Sequence, residues 1–130
     1  MAIRSDYLMD MIARFAESIA RALARGSEGD PTQGVSAYEE VVGEVLDMDA
    51  PVALALSAPS LVTMMQISAV DERLAAYAAF CLDSIAQAYE LQGDPLAEVR
   101  QAQAAAIRQA YALADDVIPP EVRELISRGE

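Results

Sequence analysis

Apolar residues recur at three- and four-residue steps along most of this chain, starting with Leu8, Met11, Ile12, Phe15, Ile19 and Leu23. That spacing puts them on one face of an α-helix predicted over residues 5–25, with Ser5 suited to cap it. Arg14, Glu17, Ser18, Arg21 and Arg25 fall on the other side. Glu17 stands four residues before Arg21, the favourable order for a helix pair, and arginines at the C-terminal end suit the helix dipole. Six large apolar side chains give roughly 9–18 kcal/mol of gross burial, an upper bound. An isolated helix cannot bury such a stripe, so the pattern predicts packing against others.

Gly29-Asp30-Pro31 then reads as a stop and restart: glycine for a loop or helix end, aspartate for an N-cap, proline for the first helical position. A second helix is predicted to about Leu46, with Val35, Tyr38, Val41, Val42, Val45 and Leu46 inward. Short helices are expected over 51–56 and 60–67, and Ser57 ahead of Pro59 suits a cap. Asp71 opens a long helix to about Gln92, lined by Leu74, Tyr77, Ala78, Cys81, Leu82, Ile85 and Tyr89. Gly93-Asp94-Pro95 repeats the earlier turn. The following helix is predicted to about Ala114 with Leu96, Val99, Ala106, Ile107, Ala110 and Tyr111 inward, and Pro119-Pro120 starts a last short helix to Ser127.

The chain echoes itself. Residues 17–23 read E-S-I-A-R-A-L and residues 83–89 read D-S-I-A-Q-A-Y, an offset of 66. The two Gly-Asp-Pro turns stand 64 apart, and each second helix is followed by an aspartate and then a proline, Asp47 to Pro51 and Asp115 to Pro119. The expected fold is therefore all-α: one domain over 1–130, with antiparallel helical hairpins in two related modules at about 5–57 and 71–127, bridged by 58–70. Four main helices and two or three short ones make it up.

A period near twice ~34 residues resembles tetratricopeptide repeats. In those repeats a small residue precedes an aromatic or leucine by three positions, followed by a Gly-Asp turn. Ala86, Tyr89, Gly93 and Asp94 match, and Ala20, Leu23, Gly29 and Asp30 match more loosely; the motif's tryptophan is absent, and Pro95 replaces the usual residue after the turn. Asp6-Tyr7-Leu8-Met9-Asp10-Met11-Ile12 resembles the D-Y-L-M-x-M-I opening of a family of small bacterial helical proteins of unknown function, themselves tetratricopeptide-like by prediction. That likeness covers about the first 20 residues. It implies a fold and no chemistry, because fold alone supplies no function.

Composition narrows the chemistry. With nine arginines, no lysine and 21 acids the net charge is −12, which disfavours binding to nucleic acid or anionic membrane surfaces. Residues 50–70 carry no charge and are long enough to span a bilayer, but Pro51, Pro59 and five hydroxyl or amide residues favour two buried helices instead. The N-terminal stretch carries Asp6 and Asp10 and does not read as a signal peptide, so a cytoplasmic location is expected. The chain has no histidine, and Cys81 is its only cysteine; metal sites, di-iron centres and histidine-assisted nucleophiles are not expected, and neither is any cofactor. No phosphate-cradling glycine loop or nucleophile elbow is present.

Carboxylates and an uncharged block remain. Asp6 and Asp10 lie one helical turn apart, although a first-turn acid is also what the helix dipole favours. Glu39, Glu40 and Glu44, extended by Asp47 and Asp49, form an acidic strip that is either a solvated face or a dock for a basic partner. Leu61, Met64 and Met65, with Val62 and Ile67, form either a sticky surface or part of the core bridging the modules. The expected function is a non-enzymatic helical-repeat scaffold that binds a protein partner or a second copy of itself. The alternative is a carrier of a small hydrophobic ligand, with space between the modules left by Ala102, Ala104, Ala105 and Ala106.

Overall fold

A computed structural model describes residues 2–26, 34–114 and 118–128, with side chains over 7–24, 34–114 and 118–127. The Gly29-Asp30-Pro31 turn, the side chains of Ser5 and Asp6, and Asp115 and Asp116 lie outside the described residues. Among the described residues the protein is all-α, with seven helices and no strand: α1 (Ala2–Gly26), α2 (Val35–Leu46), α3 (Ala50–Leu54), α4 (Ala58–Ile67), α5 (Glu72–Leu91), α6 (Leu96–Tyr111) and α7 (Pro120–Arg128).

Local chemistry accounts for most of these boundaries. The Ser57 hydroxyl accepts from the Ser60 amide at 3.3 Å and starts α4, and the Asp71 carboxylate accepts from the Arg73 amide at 2.8 Å and starts α5. After α5 the chain reverses through Gly93 at φ +71°: the amides of Gly93 and Asp94 return to Glu90 O and Tyr89 O, and Asp94 Oδ1 then accepts from the Leu96 amide at 2.9 Å. One turn thus closes α5 and opens α6. The same five-residue return bond ends α2, α4 and α6, where Asp47, Ala69 and Ala112 take the left-handed conformation without being glycine.

The four main helices pack in the order α1, α2, α5, α6, each antiparallel to the next. Arg14 of α1 meets Glu44 of α2, Asp83 of α5 pairs with Arg108 of α6, and Glu90 accepts from Gln101. Helix α5 is central, packed on α6 and α2 and touching α1, where the rings of Phe15 and Tyr77 lie 6.1 Å apart. The core is one cluster that includes Ile12, Phe15, Ile19, Val42, Leu61, Met65, Tyr77, Leu82, Ile85 and Ile107. Helix α3 packs on α2, α4 crosses to α6, and α7 lies on α1, where the Tyr77 hydroxyl donates to Glu121 at 2.8 Å.

The internal echo holds for the first helices. Ile12, Phe15, Ala16, Ile19 and Ala22 are buried, and so are Ala78, Cys81, Leu82, Ile85 and Ala88, their counterparts at the 66-residue offset. It does not hold at the turn-derived offset of 64, where buried Tyr38, Val41, Val45 and Leu46 fall on exposed Ala102, Ala105, Gln109 and Ala110. An offset of 62 restores the match in burial, with Arg100, Gln103, Ala104 and Ile107 facing inward. Two residues rotate a helical face by about 200°, so aligned turns do not guarantee aligned faces. The closing helices differ too, since α3 packs on α2 and is hydrogen-bonded to α6, whereas α7 lies on α1.

The inward set expected for α6 therefore needs correction. Leu96 and Val99 remain 40% and 43% exposed, Ala110 is exposed, and the buried face is Ala97, Arg100, Gln103, Ala104 and Ile107. Small residues on that face let α5 approach closely, and the two long polar ones reach past it to α3.

Candidate functional site

The residues proposed as a surface divide on folding. Leu61 and Met65 are wholly buried under α6, so they belong to the core and are not available to a partner; Met64, on the flank of α4, is half-buried. Placing the uncharged segment against α6 removes its apolar side from water, which leaves Ile67 exposed at its end.

The acidic strip is divided as well. Glu40 and Glu44 point along the seam with α1, beside Arg14 and Arg21, and Glu44 Oε2 lies 3.5 Å from Arg14 Nη1. Both groups of that pair are more than half exposed, so the contact is worth little, yet it gives the carboxylates an intramolecular role. Glu39, one residue and about 100° away, faces α3 and α6 instead. Burial raises its carboxyl above the ordinary value, and the charge of Arg100 offsets this only in part. The three glutamates therefore do not form one continuous dock.

A groove of about 740 Å³ opens where the start of α1, the end of α2 and the α4–α5 junction meet. Tyr7, Leu8, Met11, Leu46, Val70 and Leu74 supply its apolar wall. The left-handed turns at Asp47 and Ala69 bend the ends of α2 and α4 around it. Tyr7 stands 63% exposed at the mouth. At the rim, burial tends to raise the Asp71 carboxyl, but two hydrogen bonds and the charge of Arg73 outweigh this and hold it below its usual value. Arg73 is occupied with Asp71, and Asp47 is exposed, so the rim offers acid to an incoming group. Tyr7, Leu8 and Met11 come from the D-Y-L-M-x-M-I segment, but nothing local shows that they meet the end of α2.

A buried polar clamp escaped the sequence reading. Gln103 Nε2 donates to Leu54 O at 3.2 Å and Leu56 O at 2.9 Å, and Arg100 Nη1 donates to Leu54 O at 2.8 Å and to Gln103 Oε1 at 3.0 Å. These bonds satisfy carbonyls at the end of α3, a helix of only five residues. The available signal was an arginine and a glutamine three apart within an alanine-rich helical face.

Among the described residues no group of three or more acids or cysteines could hold a metal ion. Cys81 is fully buried, and burial pushes its thiol up, away from the reactive thiolate. Ala102 and Ala105 are exposed, Ala104 is buried and Ala106 half-buried; none of the four lines the clefts described. No helix among the described residues is long and apolar enough to cross a membrane. No family model, curated protein or solved structure matches the chain.

Proposed function

We propose that this protein is a non-enzymatic, cytoplasmic interaction module of tetratricopeptide-like helical hairpins, and that its groove receives an amphipathic helix from a protein partner. The alternating antiparallel order α1, α2, α5, α6, with α1 and α5 sharing one burial register, supports the hairpin-stack reading. The observation that carries the binding reading is the open apolar groove of about 740 Å³ with exposed Tyr7 at its mouth. An apolar helix face fills such a groove, and basic residues flanking that face complement the Asp47 rim and the −12 net charge. The carrier reading has weaker support, because the alanines named for its cavity line no described cleft.

A photo-crosslinking residue at position 7 tests this in native cytoplasm, with the same residue at Val52, exposed on α3, as control. The expected result is a discrete adduct from position 7 that is absent from position 52 and is suppressed by Leu8→Arg. An adduct of twice the chain mass identifies a second copy of the protein as the occupant. No adduct, or equal adducts from both positions, would overturn the groove as the interaction site.

A further inference from the structure

Two helices end at the groove, α2 at Leu46 and α4 at Ile67, each turned aside by a left-handed residue that lines it, Asp47 and Ala69. Among the described residues Leu46 O and Ser68 O accept no hydrogen bond from the chain. Both helix ends therefore bring open carbonyls, and the negative end of a helix dipole, to the edge of the groove. The Asp47 carboxylate beside them is exposed and forms no ion pair among the described residues. Two helices also begin nearby without reversing this balance. The start of α5 is capped by the Asp71 carboxylate, and α1 starts at Ala2, more than one turn before Tyr7, whereas a dipole's effect fades within the first turn. Arg73, the cation among the lining residues, is held by Asp71 at 3.2 Å. The edge is negative on balance, and Tyr7 adds an exposed aromatic ring at the same mouth.

We propose that the helix received by this groove is anchored by an arginine, its guanidinium stacked on the Tyr7 ring and donating to the Asp47 carboxylate and the open carbonyl end of α2, its alkyl stem on Leu8 and Met11. This rests on the reading of the groove as a helix dock and adds the residue that selects the partner. A guanidinium is planar, stacks on aromatic rings and carries five donors for several acceptors, whereas an ammonium holds its hydration more tightly. A carboxylate on the incoming helix would meet the same edge as like charge.

Nuclear magnetic resonance titration of the full chain with butylguanidinium tests the anchor, following the Tyr7 ring and Met11 methyl signals. Butylguanidinium should shift them saturably at about ten to a hundred millimolar, the range expected of so small a probe. Butylurea, planar but uncharged, should bind about five- to tenfold more weakly, and butylammonium should fall between the two. Asp47→Asn keeps a residue that tolerates the left-handed conformation; it should bring butylguanidinium down to the affinity of butylurea and leave butylurea unchanged. Tyr7→Leu keeps the apolar wall and should erase the advantage of the guanidinium over the ammonium. Equal binding of butylguanidinium and butylurea, shifts that spare Tyr7 and Met11, or an unaltered guanidinium affinity in folded Asp47→Asn overturns the anchor. Should Asp47→Asn not fold, the guanidinium–urea comparison on the unaltered protein decides. The position-7 crosslink separates the anchor from its carrier. An adduct without guanidinium preference removes the arginine and keeps the helix; a guanidinium preference without an adduct removes the helix and overturns the proposal with it.

Discussion

Gly43 sits in the last turn of α2, directly beneath the chain as it turns into α3. A Cβ there would come within 2.8 Å of Met48 O and 3.0 Å of the Ala50 N and Cα, all backbone atoms that cannot rotate aside. Gly43→Ala gains helix propensity but overpacks the turn, and we expect a net loss of about 1–2 kcal/mol in urea unfolding; unchanged or raised stability would show the turn to be soft. Glu39 is a second residue whose surroundings set its behaviour. Its raised carboxyl means that the folded chain holds the proton more tightly than the unfolded chain. Below the ordinary carboxylate range the group is neutral in both states and costs nothing; as pH rises through the window up to its raised value, the folded state comes to bear a partly buried charge. Glu39→Gln should therefore raise the thermal midpoint at neutral pH, with the gain fading in acid. A gain that persists unchanged at low pH would exclude burial of the charge as its cause.

Helix α3 shows how an element too short to stand alone is held. Five residues cannot nucleate a stable helix in water, and α3 is held by Gln103 and Arg100, which occupy Leu54 O at its end and Leu56 O just beyond it from 46 to 49 residues away in sequence. Gln103→Leu conserves approximate volume but orphans Leu56 O, at an expected cost of about 1–3 kcal/mol. Hydrogen exchange at Ala53 and Ala55 should quicken more than at α5; uniform quickening would mean that the clamp serves the whole fold instead. The existence of α3 was legible from Pro51 and the turn residues around it. The clamp was not, because on period alone Leu96 and Val99 were the better inward candidates for α6.

Across the whole molecule, α5 joins the two hairpins, packed on α6 of its own and on α2 and α1 of the other, and Cys81 lies near its middle, fully buried. Burial raises its thiol, so no reactive thiolate forms at neutral pH in the folded state. A thiol reagent should label Cys81 at least about a thousandfold more slowly than the unfolded chain, and denaturant should release labelling at the same midpoint as the loss of helicity. Rapid labelling without denaturant would mean that α2 or α1 leaves α5 independently, and the two hairpins would then be separate folding units.

Helix positions, the Ser57 and Asp71 caps and the matched inward faces of α1 and α5 follow from the sequence by itself, because period, capping oxygens and the Gly93 turn act within a few residues. Left-handed ends at Ala69 and Ala112 are invisible to such reasoning, since alanine carries no mark of that conformation. Tertiary structure alone decided that α4 crosses to α6 and buries Leu61 and Met65, that Glu39 parts from Glu40 and Glu44, and that α7 returns to α1. It also brought three distant segments together around the groove. Local rules specify how a helix repeats and where it stops; which neighbour covers which face depends on the mutual orientation of all the helices at once, since each burial choice changes the surface left for the next.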